Sequence, residues 1–149
     1  MHSKQSMTPT PREQITSPDA WTGSDIQHDP SWIHHLDAAA VAEIDAALAQ
    51  VRRSGAQIPF AAESFPLPRF AAVLDDILEE LENGRGFKLI RGIPRHRYSD
   101  GECELIYWGL GAHLGTPVSQ NARGHRLGHV RDEGRVLAGG DRERHSLDP

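Results

Sequence analysis

Nine histidines in 149 residues make metal binding the first chemistry to weigh in this chain. His35-Leu36-Asp37 has the H-x-D spacing with which an imidazole and a carboxylate, joined by a distant second His, hold a non-haem iron. That spacing works when a strand or its end presents both side chains to one cavity. Here Asp37 stands at the start of an apolar-periodic run, where a carboxylate caps a helix without any metal. His125 and His129 lie four apart, but H-E-x-x-H is absent and their surroundings read as extended. On a strand such residues share a face about 13 Å apart, too far for one ion. His113 falls near the end of a helix, where it suits a partly buried side chain or a contact with the negative end of the helix dipole.

Nucleophiles fare no better. Cys103 is the only cysteine, so neither an intramolecular disulfide nor a Cys-rich zinc site can be built, and it reads as filling a helix's first turn. Ser119 is not in a G-x-S-x-G elbow. Gly109, Gly111 and Gly115 follow G-x-G-x-x-x-G and close a helix, whereas a dinucleotide fingerprint opens one after a strand. Close helix packing and a C-terminal cap explain them. Residue chemistry alone assembles no catalytic constellation.

The elements that must position these groups follow from periodicity and punctuation. Residues 1–30, with Pro9, Pro11, Pro18 and Pro30 in a polar background, read as a flexible polar arm partly docked by Trp21 and Trp32. A helix over 37–54 follows from the stripe Val41, Ile44, Leu48 and Val51, with Asp37 as N-cap and Gly55 as a left-handed stop. The loop Phe65-Pro66-Leu67-Pro68 leads to a second helix ending near Asn83 and capped by Gly84. Phe70, Leu74, Ile77, Leu78 and Leu81 form its buried face, and Asp75, Asp76, Glu79, Glu80 and Glu82 its wet one. Residues 86–91 suit a strand, with Phe87, Leu89 and Ile90 buried against Lys88 and Arg91 outside. Ser99 and Glu102 have capping-box spacing and open a third helix through Leu114, with Ile106, Tyr107, Leu110 and Leu114 inward. Extended runs at 118–121 and 126–130 flank Ala122-Arg123-Gly124, which suggests a hairpin turn.

Composition bounds the rest. The length suits one domain, and 38% hydrophobic content is enough for a core. The net charge of −5 is spread along the chain, and no basic face interleaved with aromatics predicts a nucleic-acid surface. Arg91, Arg95, His96 and Arg97 read as a solvated loop. No apolar run approaches a signal sequence or a membrane span, so a cytoplasmic protein is the expectation.

A resemblance adds to this. Ser31-Trp32-Ile33, Phe65-Pro66-Leu67-Pro68, Gly84-Arg85-Gly86-Phe87, Arg91-Gly92-Ile93-Pro94, Gly109-Leu110-Gly111, Leu114-Gly115-Thr116-Pro117-Val118-Ser119-Gln120-Asn121, Gly124 and His129-Val130-Arg131-Asp132 follow in order. Together they resemble the amino-terminal portion of the TauD/TfdA-type dioxygenases, the taurine catabolism dioxygenase-like and clavaminate synthase-like family. The resemblance implies an α+β fold, the amino-terminal helices and first strands of a double-stranded β-helix (jelly-roll), here incomplete. It places that domain portion at 31–134 and leaves 135–149 as an irregular tail.

In full-length members O₂, activated with Fe(II) and 2-oxoglutarate, oxidises a small-molecule substrate. Beyond Arg131-Asp132 the family would supply an Arg- and Tyr-containing stretch and an H-x-D pair. This chain instead carries His145 and Asp148 at H-x-x-D spacing. Neither iron nor cosubstrate is therefore expected to bind the chain alone. The resemblance makes Thr116, Ser119, Gln120 and Asn121 the substrate-binding candidates. Taurine is not the expected substrate, because Thr116 and Ser119 stand where the taurine branch carries His and Tyr. The chain is expected to be a truncated oxidoreductase, inactive by itself. Its alternative is a non-catalytic remnant or interaction module, self-associating or pairing with an intact paralogue. A third reading is an unrelated His-rich metal binder.

Overall fold

Capping and apolar spacing set three long helices, and a loop threads the core between them. The computed structural model describes residues 15–130 and residue 132. In chain order these form helix α1 (Gly23–Gln27), strand β1 (Ile33–His35), helix α2 (Ala38–Ser54), helix α3 (Phe70–Asn83), strand β2 (Leu89–Arg91) and helix α4 (Asp100–Leu114). Single 3-10 turns lie at Pro30–Trp32, Ala62–Ser64 and Arg95–Arg97. The expected tail at 135–149, with His145 and Asp148, lies outside the described residues.

α2 starts as its sequence predicts: Asp37 Oδ1 accepts from the Ala40 N–H at 2.7 Å. It stops at Gly55, whose φ of 68° is open to glycine at little cost. Ile44, Leu48 and Val51 are buried, joined by Ala40 and Ala47. α3 buries Phe70, Leu74 and Ile77. It has no local side-chain cap; instead Glu43 of α2 accepts from the Arg69 N–H at 3.1 Å and the Phe70 N–H at 2.9 Å. A carboxylate from another helix thus satisfies the free amides and meets the positive end of the helix dipole.

α4 opens with the expected capping box: Glu102 Oε2 accepts from the Ser99 N–H at 2.9 Å, and Ser99 Oγ from the Glu102 N–H at 3.3 Å. Its inward face departs from expectation. Tyr107 is 70% exposed, and Trp108 is buried in its place with Ile106, Gly109 and Leu110. Successive helical residues turn by about 100°, so Ile106, Gly109 and Leu110 share one face, while Trp108 stands on the opposite side, outside the cluster that holds Ile106 and Leu110. α4 is thus buried on two sides, and Tyr107 projects between them. Trp108 can enter because its indole N–H donates to the Phe60 carbonyl at 2.8 Å. Phe65 is fully buried, and a Cβ on Gly109 would lie 2.3 Å from its ring. Glycine there lets the aromatic ring rest on the α4 backbone.

β1 and β2 pair in parallel, Ile33 opposite Leu89 and His35 opposite Arg91. The expected strand over 86–91 is shorter, and Leu89 is exposed at 36%, so the buried face expected there is corrected. The side that Leu89 faces is uncovered among the described residues. The extended runs at 118–121 and 126–130 form no strands. They are joined by the turn bond from Gly124 N–H to the Asn121 carbonyl (3.0 Å) and by Gln120 N–H to the His125 carbonyl (2.6 Å). With Val118 67% and Val130 83% exposed, no apolar face drives a longer ladder. The described residues make a mixed arrangement of helices with a small two-stranded parallel sheet, compatible with an α+β fragment.

Candidate functional site

The four substrate-binding candidates lie on the segment that leaves α4. Its direction is set upstream. His113 Nε2 stands 2.8 Å from the Phe65 carbonyl, and because a carbonyl only accepts, Nε2 carries the proton. One turn earlier, Gly109 seats the Phe65 ring. The last turns of α4 are therefore fixed to the Pro-bounded loop by both the side chain and the backbone of one residue. His113 is partly buried, as the sequence suggested.

Beyond Gly115, Thr116, Ser119 and Gln120 are exposed. Gln120 Nε2 donates to the Val118 carbonyl at 3.1 Å. Asn121 is half-buried, and its Oδ1 accepts from the Arg123 and His125 N–H groups at 3.0 and 3.2 Å. Its Nδ2 faces His125 Nδ1 at 3.1 Å, with the ring nitrogen as acceptor. The Asn121 amide is thus engaged by its own turn. The candidates are brought together by their succession along one loop, and no second element of the described residues converges on them. His129 Nδ1 approaches Glu104 Oε1 of α4 at 3.8 Å, which leads the segment back along that helix.

The described residues do not fit an iron centre. His35 is exposed at the end of β1, and Asp37 Oδ1 is committed to the Ala40 N–H. His125 contacts Asn121, and His129 contacts Glu104. Among the described residues no group of three His, Cys, Asp or Glu side chains could hold a metal ion.

Two polar junctions escaped sequence reasoning because their partners are far apart in the chain. Asp45 of α2 accepts from the Tyr98 hydroxyl at 2.8 Å and from Arg97 Nη2 at 2.7 Å. The Arg97 guanidinium also lies 5.8 Å from the centre of the Tyr98 ring. Burial first, then the hydrogen bond and charge of Asp45, pushes the Tyr98 hydroxyl up to about 12. Arg95 donates to the Tyr98 carbonyl at 2.6 Å and pairs with Asp100. Arg91, Arg95, His96 and Arg97 are all exposed, as expected of a solvated loop, and within it Arg95 and Arg97 also form the surface ion pairs with Asp100 and Asp45.

The second junction is Arg85. Its Nε meets Glu80 Oε1 at 2.7 Å, Nη1 meets Asp29 Oδ2 at 3.2 Å, and Nη2 donates to Ser31 Oγ at 2.8 Å. Hydrogen bonding to Glu80 is the largest effect raising the Arg85 guanidinium above its ordinary value, and Arg85 in turn holds Glu80 low. The Asp29 carboxyl is lowered chiefly by its hydrogen bonds from Ser31. No helix among the described residues is long and apolar enough to cross a membrane.

No family model matches the chain. It is similar to the FR-33289 synthase of Streptomyces rubellomurinus, 28% identical over 125 residues, 83% of this chain and 37% of that protein. It is also similar to a taurine hydroxylase-like protein of Stachybotrys chartarum, 27% identical over 115 residues, 76% of this chain and 30% of that one. The chain spans about a third of the length of these curated relatives. The likenesses are distant, and they are consistent with a relationship to the dioxygenase family that the sequence motifs resemble.

Proposed function

We propose that this chain forms the helical wall and first strands of a jelly-roll oxygenase domain of the Fe(II)/2-oxoglutarate type, whose complete form hydroxylates a small molecule. The observation that carries this reading is the extent of the two similarities, 83% and 76% of the chain, to a synthase and a hydroxylase-like protein. In the complete domain the metal and cosubstrate supply oxygen activation. The present residues would contribute orientation, the hydroxyls of Thr116 and Ser119 and the amide of Gln120 holding a polar substrate by hydrogen bonds. The Asn121 amide shapes the turn that carries them.

With the iron donors absent from the described residues, the purified chain is expected to form no succinate from 2-oxoglutarate with added Fe(II). Fe(II)-dependent succinate formation would overturn the proposed lack of independent activity. Tight Fe(II) binding lost on His35→Ala would instead return His35 and Asp37 to the chemistry. An experimental structure of the Streptomyces synthase tests the fold relationship directly. Its matched stretch must show a parallel strand pair enclosing two helices, followed by a helix like α4, and any other arrangement refutes the relationship.

A second reading, a non-catalytic interaction module, is favoured by one observation. Tyr107 projects from α4 at 70% exposure, and Val118 at 67% and Val130 at 83% follow it in the chain. Sedimentation of the purified chain tests its self-associating form, since a monodisperse monomer at micromolar concentration excludes self-association through these residues.

A further inference from the structure

We propose that residues 17–32 form a releasable strap, a self-organised segment that opens from the α3–β2 junction while the helical core stays folded. The strap has its own internal bonding. Asp25 Oδ2 accepts from the Thr22 N–H at 2.6 Å and the Thr22 hydroxyl at 2.7 Å, closing a capping box over α1. The Trp32 indole N–H donates to the Ile26 carbonyl at 3.3 Å, folding the end of the segment onto its middle. Asp29 caps the following turn by accepting from the Ser31 N–H at 2.9 Å. The segment can therefore move as a body.

Its side-chain attachments converge on residues 85–88. Arg85 holds Asp29 and Ser31, as described, and its carbonyl accepts from the Trp21 indole N–H at 2.9 Å. Lys88 Nζ donates to the Ser31 carbonyl at 2.8 Å. The Phe87 ring lies between two indoles, Trp21 at 4.9 Å edge-on and Trp32 at 5.7 Å tilted. Convergence on so short a stretch makes the attachment close to all-or-none. No residue of the strap is buried, and Trp21 is 41% exposed. Its opening therefore forfeits partly solvated ion pairs and aromatic contacts, whereas unfolding the core exposes Ile44, Phe65 and Leu74 outright. The strap leads directly into β1, so its release also loosens the pairing with β2 and frees the Phe87 ring. This inference stands independently of the oxygenase reading.

Hydrogen exchange on the full chain tests it with three variants. Arg85→Ala and Trp21→Ala are each expected to speed amide exchange across residues 22–36 by about tenfold or more, with α2 and α4 unchanged. Trp21→Ala leaves Arg85 and its Glu80 partner in place, so it separates strap release from fraying of α3. Arg52→Ala, which removes a different ion pair at α4, should leave the strap unchanged. Equal acceleration in the strap and in α2 and α4 overturns the proposal, as does no acceleration in the strap, or acceleration with Arg85→Ala alone.

Discussion

Phe65 and Arg85 each join segments that are distant in sequence, and they do so by opposite means. Phe65 is fully sealed, with its ring on the α4 backbone at Gly109 and its carbonyl bonded to His113. Arg85 is a cation whose side chain is 19% exposed, and it draws Asp29, Ser31 and Glu80 together across the surface. Burying a phenyl ring removes apolar area from water and contributes about 2–3 kcal/mol, with little dependence on salt. A half-solvated ion pair gains much less and is screened. One junction therefore belongs to the cooperative core, and the other to a part of the molecule that can open alone.

The contrast is broken most easily at its stronger end. Phe65→Ala should destabilise the core by about 3–5 kcal/mol, because the surrounding helices collapse only partly into the space. Denaturant unfolding followed by helical circular dichroism measures this; a loss below about 1 kcal/mol would mean that Phe65 does not organise the helices. A middle case is Tyr98→Phe, which removes the bond to Asp45 yet leaves that carboxylate paired with Arg97. The expected cost is about 1 kcal/mol in the same assay. It places the polar junction at Asp45 between the two extremes.

The smallest effect sharpens the electrostatic side. Asp29 and Glu80 are held below the ordinary carboxylate range in the folded chain. A lowered carboxylate contributes stability that is present above its unfolded value, near 4, and is lost as pH falls through the folded value. Amide protection in residues 22–36 should therefore decline below about pH 4 before that of α2, after correction for intrinsic exchange rates. Simultaneous decline would show that the carboxylates at the Arg85 junction are not what acid attacks first.

Where local rules act, the sequence announces the structure. Asp37 as N-cap, the Ser99 and Glu102 box and the Gly55 stop appear as the spacing predicts, and so do most of the apolar stripes of α2 and α3, Val41 and Leu78 alone standing half-buried outside the core. Three-residue strands are too short to show alternation, so β1 passes unnoticed and β2 is drawn too long. α4 misleads for another reason: it is apolar around most of its circumference, so spacing does not tell Tyr107 from Trp108, and only the Phe60 carbonyl selects the indole. The cap of α3 comes from Glu43, and the Arg85 junction from Asp29 and Ser31, pairings that no local pattern encodes. At the candidate site, the Asn121 to Gly124 turn is legible from its residue types, whereas substrate contact at Thr116, Ser119 and Gln120 rests on resemblance.

The parallel pairing of β1 with β2 carries a consequence for the order of assembly. Ile33 faces Leu89, so the connection between the strands contains the whole of α2 and α3. Closing so long a loop costs chain entropy that three-residue strands cannot offset until the helices have drawn the ends together. The sheet is then a late product of folding, and mutations within it should alter the unfolding rate more than the folding rate. During synthesis β1 emerges first and waits, unpaired, until both helices and the partner strand have left the ribosome.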